Sequence, residues 1–490
     1  MNKNLLDGLG PALRGELVTR ENKEAFEAAR FRGWNRDLNT RMTPLGFVVA
    51  SGTRDVATTV KYCRSNNIPI TVRGKGAHSP YGMANDALVI DLGKMTAVRV
   101  DPQNKLVYVQ AGANGGDVDH ETALHNLICV TGSVSHTGFA GVALGGGIGH
   151  LSRWLGAVVD SIVSYEMVTA EGEVVRVDES QDPELFWGMR GNGASFGIVT
   201  EFVLKLHDMP NAGVIRAAPI LWGIDKANEV MSSWMGRSAR PGRKHTETLQ
   251  FAFLHSPDGN PVCGVIPFIV GETEEAATAT CDEVAAYGGG ALVRQDTQLP
   301  YTAMQAALDE AFPYNANYWD KGVFVDWDPS DDKAVQAIVD IAVRTWNKKP
   351  EFGLKTCTFV LFMEVKDYDA SATVTNWGVK LYVKVNGPYV SANDTGDASV
   401  TLLAEMYGLA DANNAVFGFT LSNTNVTLFT TNSIASQSIV TNMSTTQRDA
   451  AGPRETTHPS YQAMSYGALL RDFNTAVVEY GIALQPCAYL

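Results

Sequence analysis

Up to His207 the chain alternates short apolar runs with stretches of helical periodicity, and the runs are bounded by Gly, Asp or Asn. Val48-Val-Ala50 leads into a helix opened by Thr53-Arg-Asp55 and carried by Val56, Val60 and Tyr62, since apolar positions three to four apart line one helix face. Strands are expected at Asn67–Thr71, Ala87–Asp91, Leu106–Gln110 and Val163–Ala170. Beyond Pro210 the pattern changes. Longer apolar strands (Val214–Leu221, Leu249–Leu254, Val262–Val270) alternate with helical stretches at Glu274–Ala286 and Asp332–Trp346, and further strands follow at Cys357–Val365 and Val379–Val385. That alternation predicts one sheet with helices on its back and the other face free to cover a ligand. No strand passes at once into GxGxxG and a helix, which disfavours a nicotinamide-type doubly wound domain. The expected class is α+β, with small mixed sheets before residue 208 and a second domain after it.

At 490 residues the chain exceeds what one hydrophobic core usually serves, again pointing to two domains. A formal charge of −14 argues against nucleic acid and anionic membrane as partners, because both demand clustered Lys and Arg. A small-molecule partner and a monomer or homodimer are expected instead. Residues 1–10 lack the apolar core of a signal peptide, and no later run has the length of a membrane span, so a cytoplasmic location is the expectation. Six cysteines (Cys63, Cys129, Cys263, Cys281, Cys357, Cys487) lie scattered without metal-type spacing. They read as buried single thiols, with one opportunistic disulfide left open. The sequons at Asn393, Asn425 and Asn442 fall in an Asn/Thr/Ser-rich region where such triplets arise by chance.

Two glycine clusters carry the chemistry. Thr71-Val-Arg-Gly-Lys-Gly-Ala-His-Ser79 sets a histidine in a glycine turn after an apolar run, and Leu144-Gly-Gly-Gly-Ile-Gly149 follows later. Glycines let backbone amides approach a pyrophosphate, and a neutral imidazole is a nucleophile toward an electrophilic ring methyl. Together they point to a flavin dinucleotide held covalently through His78.

Seven segments occur in a family's order: Arg73–Ser79, Leu88–Met95, Val109–Ala113, Thr131–Gly138, Gly141–Gly149, Asp182–Gly191 and Ser195–Glu201. Residues Arg41 to Leu206 thereby resemble the FAD-binding domain of the vanillyl-alcohol oxidase and p-cresol methylhydroxylase (PCMH) superfamily, closest to its berberine-bridge-enzyme (BBE) and 6-hydroxy-D-nicotine oxidase branch. The resemblance implies a two-domain PCMH-type fold: an FAD-binding domain over 1–207, a substrate domain of antiparallel sheet backed by helices over 208–440, and a C-terminal segment 441–490 returning to the first domain. It implies that Arg73, Gly74, Lys75, Gly76, Ala77 and Ser79 wrap the FAD around His78, the site of attachment to the 8α carbon. Gly132, Ser133, Val134, Thr137, Gly138 and Gly141 would form a second loop, Gly145, Gly146 and Gly147 a close passage beside the cofactor, and Gly197, Ile198 and Val199 a strand near the adenine and phosphates. Backbone amides would neutralise the pyrophosphate, so an acidic chain can still bind it.

This chain departs from the family pattern at three places. Arg73 lies five residues before His78 rather than four, with Lys75 as the extra residue and Ala77 replacing a glycine. Val134 stands where doubly linked members carry cysteine, and Cys129 lies outside the motif, so attachment is expected through His78 only. The end, Tyr480–Leu490, lacks the family's closing Asp-Pro-x-Asn-x-Phe segment.

His136 reads either as a donor or proton acceptor beside the flavin or as a cap on its own loop, while helix packing accounts for His150, Arg153 and Trp154. Relatives place a catalytic glutamate on a late strand. The corresponding run Gly378–Val385 holds no acid, leaving Tyr382 and Lys384 on that strand and Glu364 on a neighbouring one as candidates, each equally readable as an outward polar residue. Tyr318-Trp319 resembles an aromatic segment of the family's substrate pocket. The function implied is an FAD-dependent oxidase of a small aromatic or alkaloid-like secondary metabolite, with hydride transfer to flavin N5 and reoxidation by O2 to H2O2. The alternatives are a flavin dehydrogenase with another acceptor and a non-redox cyclase on the same scaffold.

Overall fold

The computed structural model describes residues 5–78, 82–238, 240, 242–256, 258–315, part of 332–346, and the strands at 318–326, 359–364, 379–386 and 427–430. Strands β1 (Glu16–Thr19), β2 (Gly46–Val49), β3 (Ile70–Arg73) and β4 (Leu88–Asp91) form a sheet ordered β1-β2-β4-β3. It is parallel at β2-β4 and β3-β4 and antiparallel at β1-β2. The parallel crossover between β2 and β3 is the helix Thr53–Asn66. Its buried Val56, Val60 and Cys63 follow a helical period, and Asn67 ends it in the left-handed region at φ 53°. Asp55 organises the helix start by accepting bonds from the N–H groups of Arg14, Gly15 and Ser51, each at 2.9 Å. Although burial alone would raise the Asp55 carboxyl, these donors bring it below the ordinary carboxylate range.

The next strands are β5 (Val98–Asp101), β6 (Leu106–Gln110), β7 (Leu127–Ile128), β8 (Ile162–Val168), β9 (Val174–Asp178), β10 (Ile198–Lys205) and β11 (His207–Asp208). Five of them make an antiparallel sheet ordered β5-β6-β10-β8-β9, and β7 pairs with β11. Val107, Val109, Tyr165, Met167, Phe202 and Leu204 are buried in one continuous core with Phe139, Ala143 and Val158. Mixed and antiparallel sheets with interspersed helices give the α+β class expected from the sequence.

A third, antiparallel sheet holds β12 (Val214–Ala217), β13 (Ile220–Gly223), β14 (Glu247–His255), β15 (Pro261–Val270), β16 (Val293–Arg294), β17 (Thr297–Pro300), β18 (Tyr318–Asp326), β19 (Phe359–Glu364), β20 (Val379–Asn386) and β21 (Thr427–Thr430). Its path is β16-β13-β15-β14-β19-β20-β18-β21, with β12 pairing to β15 and β17. The run Val214–Leu221, expected as one strand, is two. It breaks at Ala218-Pro219, and a proline cannot donate to a ladder. The faces of this sheet differ. Phe251 lies 5.7 Å, ring to ring, from Trp234 of the helix Ala227–Ser238, whereas its neighbour Gln250 reaches His150 of the first half of the chain. Successive strand residues point to opposite faces, so one face carries helices and the other lies over the first two sheets.

Candidate functional site

The loop after β3 and the loop after Cys129 meet at their glycines. A Cβ on Gly76 would lie 2.3 Å from Gly138 N, so the two backbones touch without room for a side chain. The carbonyls of both loops are turned away and tied. Arg32 donates to Gly74 O (3.2 Å) and Lys75 O (2.7 Å), Tyr314 Oη to Gly76 O (3.1 Å), and Trp34 N to Ala77 O (3.2 Å). In the second loop Gln305 Nε2 donates to Gly132 O (3.0 Å), His150 Nε2 to Ser133 O (3.1 Å), Thr137 N to Val134 O (3.1 Å), Gly116 N to Ser135 O (2.8 Å), Tyr314 Oη to His136 O (3.3 Å) and Gly115 N to Thr137 O (3.0 Å). By contrast, the N–H groups of Gly76, Ala77, Gly132, Ser133 and Val134 make no hydrogen bond among the described residues. Gly132 holds φ at +127°, and a Cβ there would meet nothing within 4 Å, so the backbone turns through a conformation open to glycine beside open space. Free donors beside occupied acceptors are what an anion cradle needs, and these amides could hold a dinucleotide diphosphate without a basic side chain.

Basic residues nearby are otherwise engaged. Arg73 is buried, and its guanidinium is committed to Asp91 at 2.8–2.9 Å and to Ala29 O at 2.6 Å rather than to the loop. Parallel pairing sets Arg73 directly beside Asp91, and Arg32 joins the same carboxylate at 2.5 and 2.6 Å. Burial raises the Asp91 carboxyl, but the two guanidiniums outweigh it and hold the group below its ordinary range. Lys75 pairs with Asp117 at 3.2 Å. The extra residue in the turn therefore carries an exposed cation paired with Asp117.

His78 sits at the end of the first loop in an aromatic box. Its ring stacks on buried Trp34 at 4.4 Å and 13°, and its Nε2 lies 3.1 Å from His136 Nδ1. Tyr314 closes the box edge-on, 5.9 Å from His78 and 5.1 Å from His136. Trp34 is itself pinned by Nε1 donating to Phe312 O at 2.9 Å. Stacking on Trp34 and the contact with His136 orient the His78 ring, with Nε2 toward the second imidazole. Ser79, which follows, lies outside the described residues.

Segment 301–315 straps this region from the large-sheet side. Beyond Gln305, Phe312 and Tyr314, Asp309 accepts from Ser135 N (2.9 Å) and Ser135 Oγ (2.5 Å). His150 forms a second anchor. Gln250 Nε2 donates to its Nδ1 at 2.8 Å, which leaves the ring proton on Nε2 for Ser133 O. Burial pushes the His150 imidazole down to about 4. Above pH ~6.5 both folded and unfolded states are neutral there. Between ~6.5 and about 4 only the unfolded chain takes up the proton, so the folded state loses roughly 3 kcal/mol across that window. His150→Gln is expected to flatten this acid slope; urea midpoints at pH 7 and pH 4.5 would differ less than in the parent, and an unchanged difference would refute the assignment.

The remaining sequence candidates separate. Gly141 lies in the helix Phe139–Leu144 and faces open space, and Gly145–Gly147 turn the chain toward the helix Val158–Ser161. At Gly197 a Cβ would lie 2.1 Å from Met167 Cε, and Ile198 and Val199 open β10 as buried residues. In the late strands, Tyr382 pairs with Leu361 and Lys384 with Phe359. Leu361 in turn pairs with Ala252, so Tyr382 and Lys384 share the register set of Ala252 and Gln250. Glu364 falls in the opposite set, that of Phe251. The C-terminal segment 441–490 and the sequons' asparagines lie outside the described residues. Cys63, Cys129, Cys263 and Cys281 are free and buried. Trp34, Arg32, Gln305, Asp309 and Tyr314 carry no motif and were not singled out from the sequence. Neither was Asn192, whose buried Nδ2 lacks a partner among the described residues.

No helix among the described residues is long and apolar enough to cross a membrane. Residues 44–178 match the FAD binding domain family. The chain is 29% identical over 346 residues to an FAD-linked oxidoreductase of Dictyostelium discoideum, covering 70% of this chain and 72% of that protein. It is 39% identical over 170 residues to (R)-6-hydroxynicotine oxidase of Paenarthrobacter nicotinovorans, 34% of this chain and 37% of that one. The fold superposes on 6-hydroxy-D-nicotine oxidase from Arthrobacter nicotinovorans with a TM-score of 0.71 at 20% identity over 97% of both chains. It superposes on BBE-like 1 of Physcomitrella patens with 0.68 at 18% identity, over 83% of this chain and 88% of that one. An FAD-binding domain over residues 44–178 and relatives that are FAD-linked oxidoreductases mark the chain as an FAD-dependent oxidoreductase, with a fold like that of 6-hydroxy-D-nicotine oxidase and BBE-like 1.

Proposed function

We propose that the protein is an FAD-dependent oxidase of a small aromatic or alkaloid-like amine or alcohol, with its flavin attached through His78 alone. The observation that carries this is the amide cradle at Gly76-Ala77 and Gly132–Val134 ending in the boxed His78. Bound there, FAD supplies a two-electron acceptor that takes a hydride from substrate and passes the electrons to dioxygen as hydrogen peroxide. The chain's own residues then have distinct tasks. His136 Nδ1, 3.1 Å from His78 Nε2, holds the proton that His78 must give up to become a tertiary imidazole, and Trp34 keeps the ring plane fixed. Val134, buried where a second link would need cysteine, offers no nucleophile. Tyr382 and Lys384, in the register set of Gln250, are the groups assigned to remove the substrate proton. Residues 1–207 would bind FAD, residues 208–440 would cover the substrate, and 441–490 would return to the first part.

Support for the substrate class is the identity with (R)-6-hydroxynicotine oxidase. The test is anaerobic mixing with a panel of aromatic secondary amines and alcohols, 6-hydroxynicotine included, followed by admission of air. Bleaching of the flavin by one panel member and one peroxide per turnover in air are expected. Product formed without bleaching would refute the oxidase, and bleaching with no peroxide on aeration would make the protein a dehydrogenase.

A further inference from the structure

Asp119 is an acid that nothing above uses. It lies on the helix Gly115–Ala123, whose first N–H groups tie Ser135 O and Thr137 O of the cradle loop. The residue is 2% exposed, and Thr131 Oγ1 sits 3.0 and 2.9 Å from its two carboxyl oxygens. Thr131, fully buried, is the residue immediately before Gly132. The titratable groups around Asp119 are Cys129, just before the loop, and Tyr301 of the strap; among the described residues no cation contributes to its field. Tyr301 Oη donates to Gln305 Oε1 at 2.9 Å, and Gln305 holds Gly132 O, so the strap closes the same small network from the other side. The Thr131 hydroxyl donates within reach of both carboxyl oxygens. Ionised, the group would stand charged in a dry site with no cation beside it among the described residues. Burial accordingly raises the Asp119 carboxyl to about 8.

We infer that Asp119 is a positioning residue that works as a neutral acid: paired with Thr131, it fixes the start of the cradle and with it the free amides of Gly132, Ser133 and Val134. When the proton leaves to solvent, the charged carboxylate draws in water, the pair with Thr131 loosens and the amides shift against their anion. The inference rests on the cradle being the FAD site. Its test is the visible circular dichroism of the flavin in the purified holoprotein, followed from pH 6 to 9.5. The parent is expected to show one transition near pH 8, and Asp119→Asn, a permanently neutral mimic, to show none. Thr131→Val, which removes only the hydroxyl, is expected to keep the transition and move it upward, because the bond from Thr131 lowers the carboxyl's affinity for its proton. It also keeps the question open to refutation should Asp119→Asn fail to fold. A parent spectrum constant over this range, an identical transition in Asp119→Asn, or an unmoved one in Thr131→Val would overturn the inference. The cradle itself fails on a different result, full flavin retention in Gly76→Ala.

Discussion

His78→Ala will release its flavin on acid precipitation, while the parent pellet stays yellow. The substitution removes the imidazole proposed for attachment, whose Nε2 lies 3.1 Å from His136 Nδ1. It leaves the cradle amides intact, so the variant should still bind FAD from solution, now reversibly. Covalent substitution at the ring methyl withdraws electron density, and its loss makes the flavin a weaker oxidant. A fall in two-electron potential on the order of 30 mV corresponds to a tenfold change in the reduction equilibrium. Redox titration against a dye of known potential measures it. Stability should change little, by about 1 kcal/mol for the lost stacking on Trp34. A pellet that stays yellow in His78→Ala would place the attachment elsewhere.

Gly76→Ala should weaken FAD binding severely. The added Cβ would meet Gly138 N at 2.3 Å, Gly138 Cα at 2.8 Å and His136 O at 3.0 Å, all of them backbone atoms that no rotamer change can move. Relief requires the two loops to part, which separates the Gly76-Ala77 amides from those of Gly132–Val134 and strains the contacts of Tyr314 with both loops. Flavin content per chain is expected to fall at least ~tenfold, the scale of a little over 1 kcal/mol in binding, with the far-ultraviolet spectrum of the sheets unchanged. Gly236→Ala provides the control. It lies in the helix Ala227–Ser238, a Cβ there meets nothing within 4 Å, and replacing a helical glycine by alanine typically stabilises by about 0.5–1 kcal/mol. It should retain full flavin.

What could be read along the chain was local. Short apolar runs located β4, β6, β8, β14 and β15, because such a run and its bounding Gly, Asp or Asn residues are written in a few consecutive positions. The glycine loops were legible for the same reason: close backbone approach leaves room for nothing else. What holds those loops was not legible. Ser135 finds Asp309 across 174 residues and Gly132 finds Gln305 across 173, and neither pairing has a local signature. Arg73 illustrates the same limit. The resemblance put it among the residues that wrap the FAD, but parallel pairing of β3 with β4 brings Asp91 alongside, and a buried guanidinium does not leave its counterion cheaply. Tyr382, Lys384 and Glu364 were equivalent as polar residues in strands. Only the register from β14 through β19 to β20 sorts the first two from the third. The break at Pro219, by contrast, was present in the sequence and follows from the missing N–H alone.

An acidic chain can hold a dinucleotide diphosphate because its loops satisfy their own carbonyls first. Arg32, Trp34, Gln305, His150 and Tyr314 each contribute a hydrogen bond to a loop carbonyl rather than a charge to the ligand. Segment 301–315 therefore shapes the candidate cofactor site through its contacts to both loops.

The most direct measurement is peptide mapping of the denatured, protease-digested holoprotein, with absorbance at flavin wavelengths and mass analysis of every yellow fragment. Attachment through His78 alone predicts one flavin-bearing peptide, containing His78, with Cys129 unmodified. Flavin found only as free FAD, or on any peptide without His78, would contradict it.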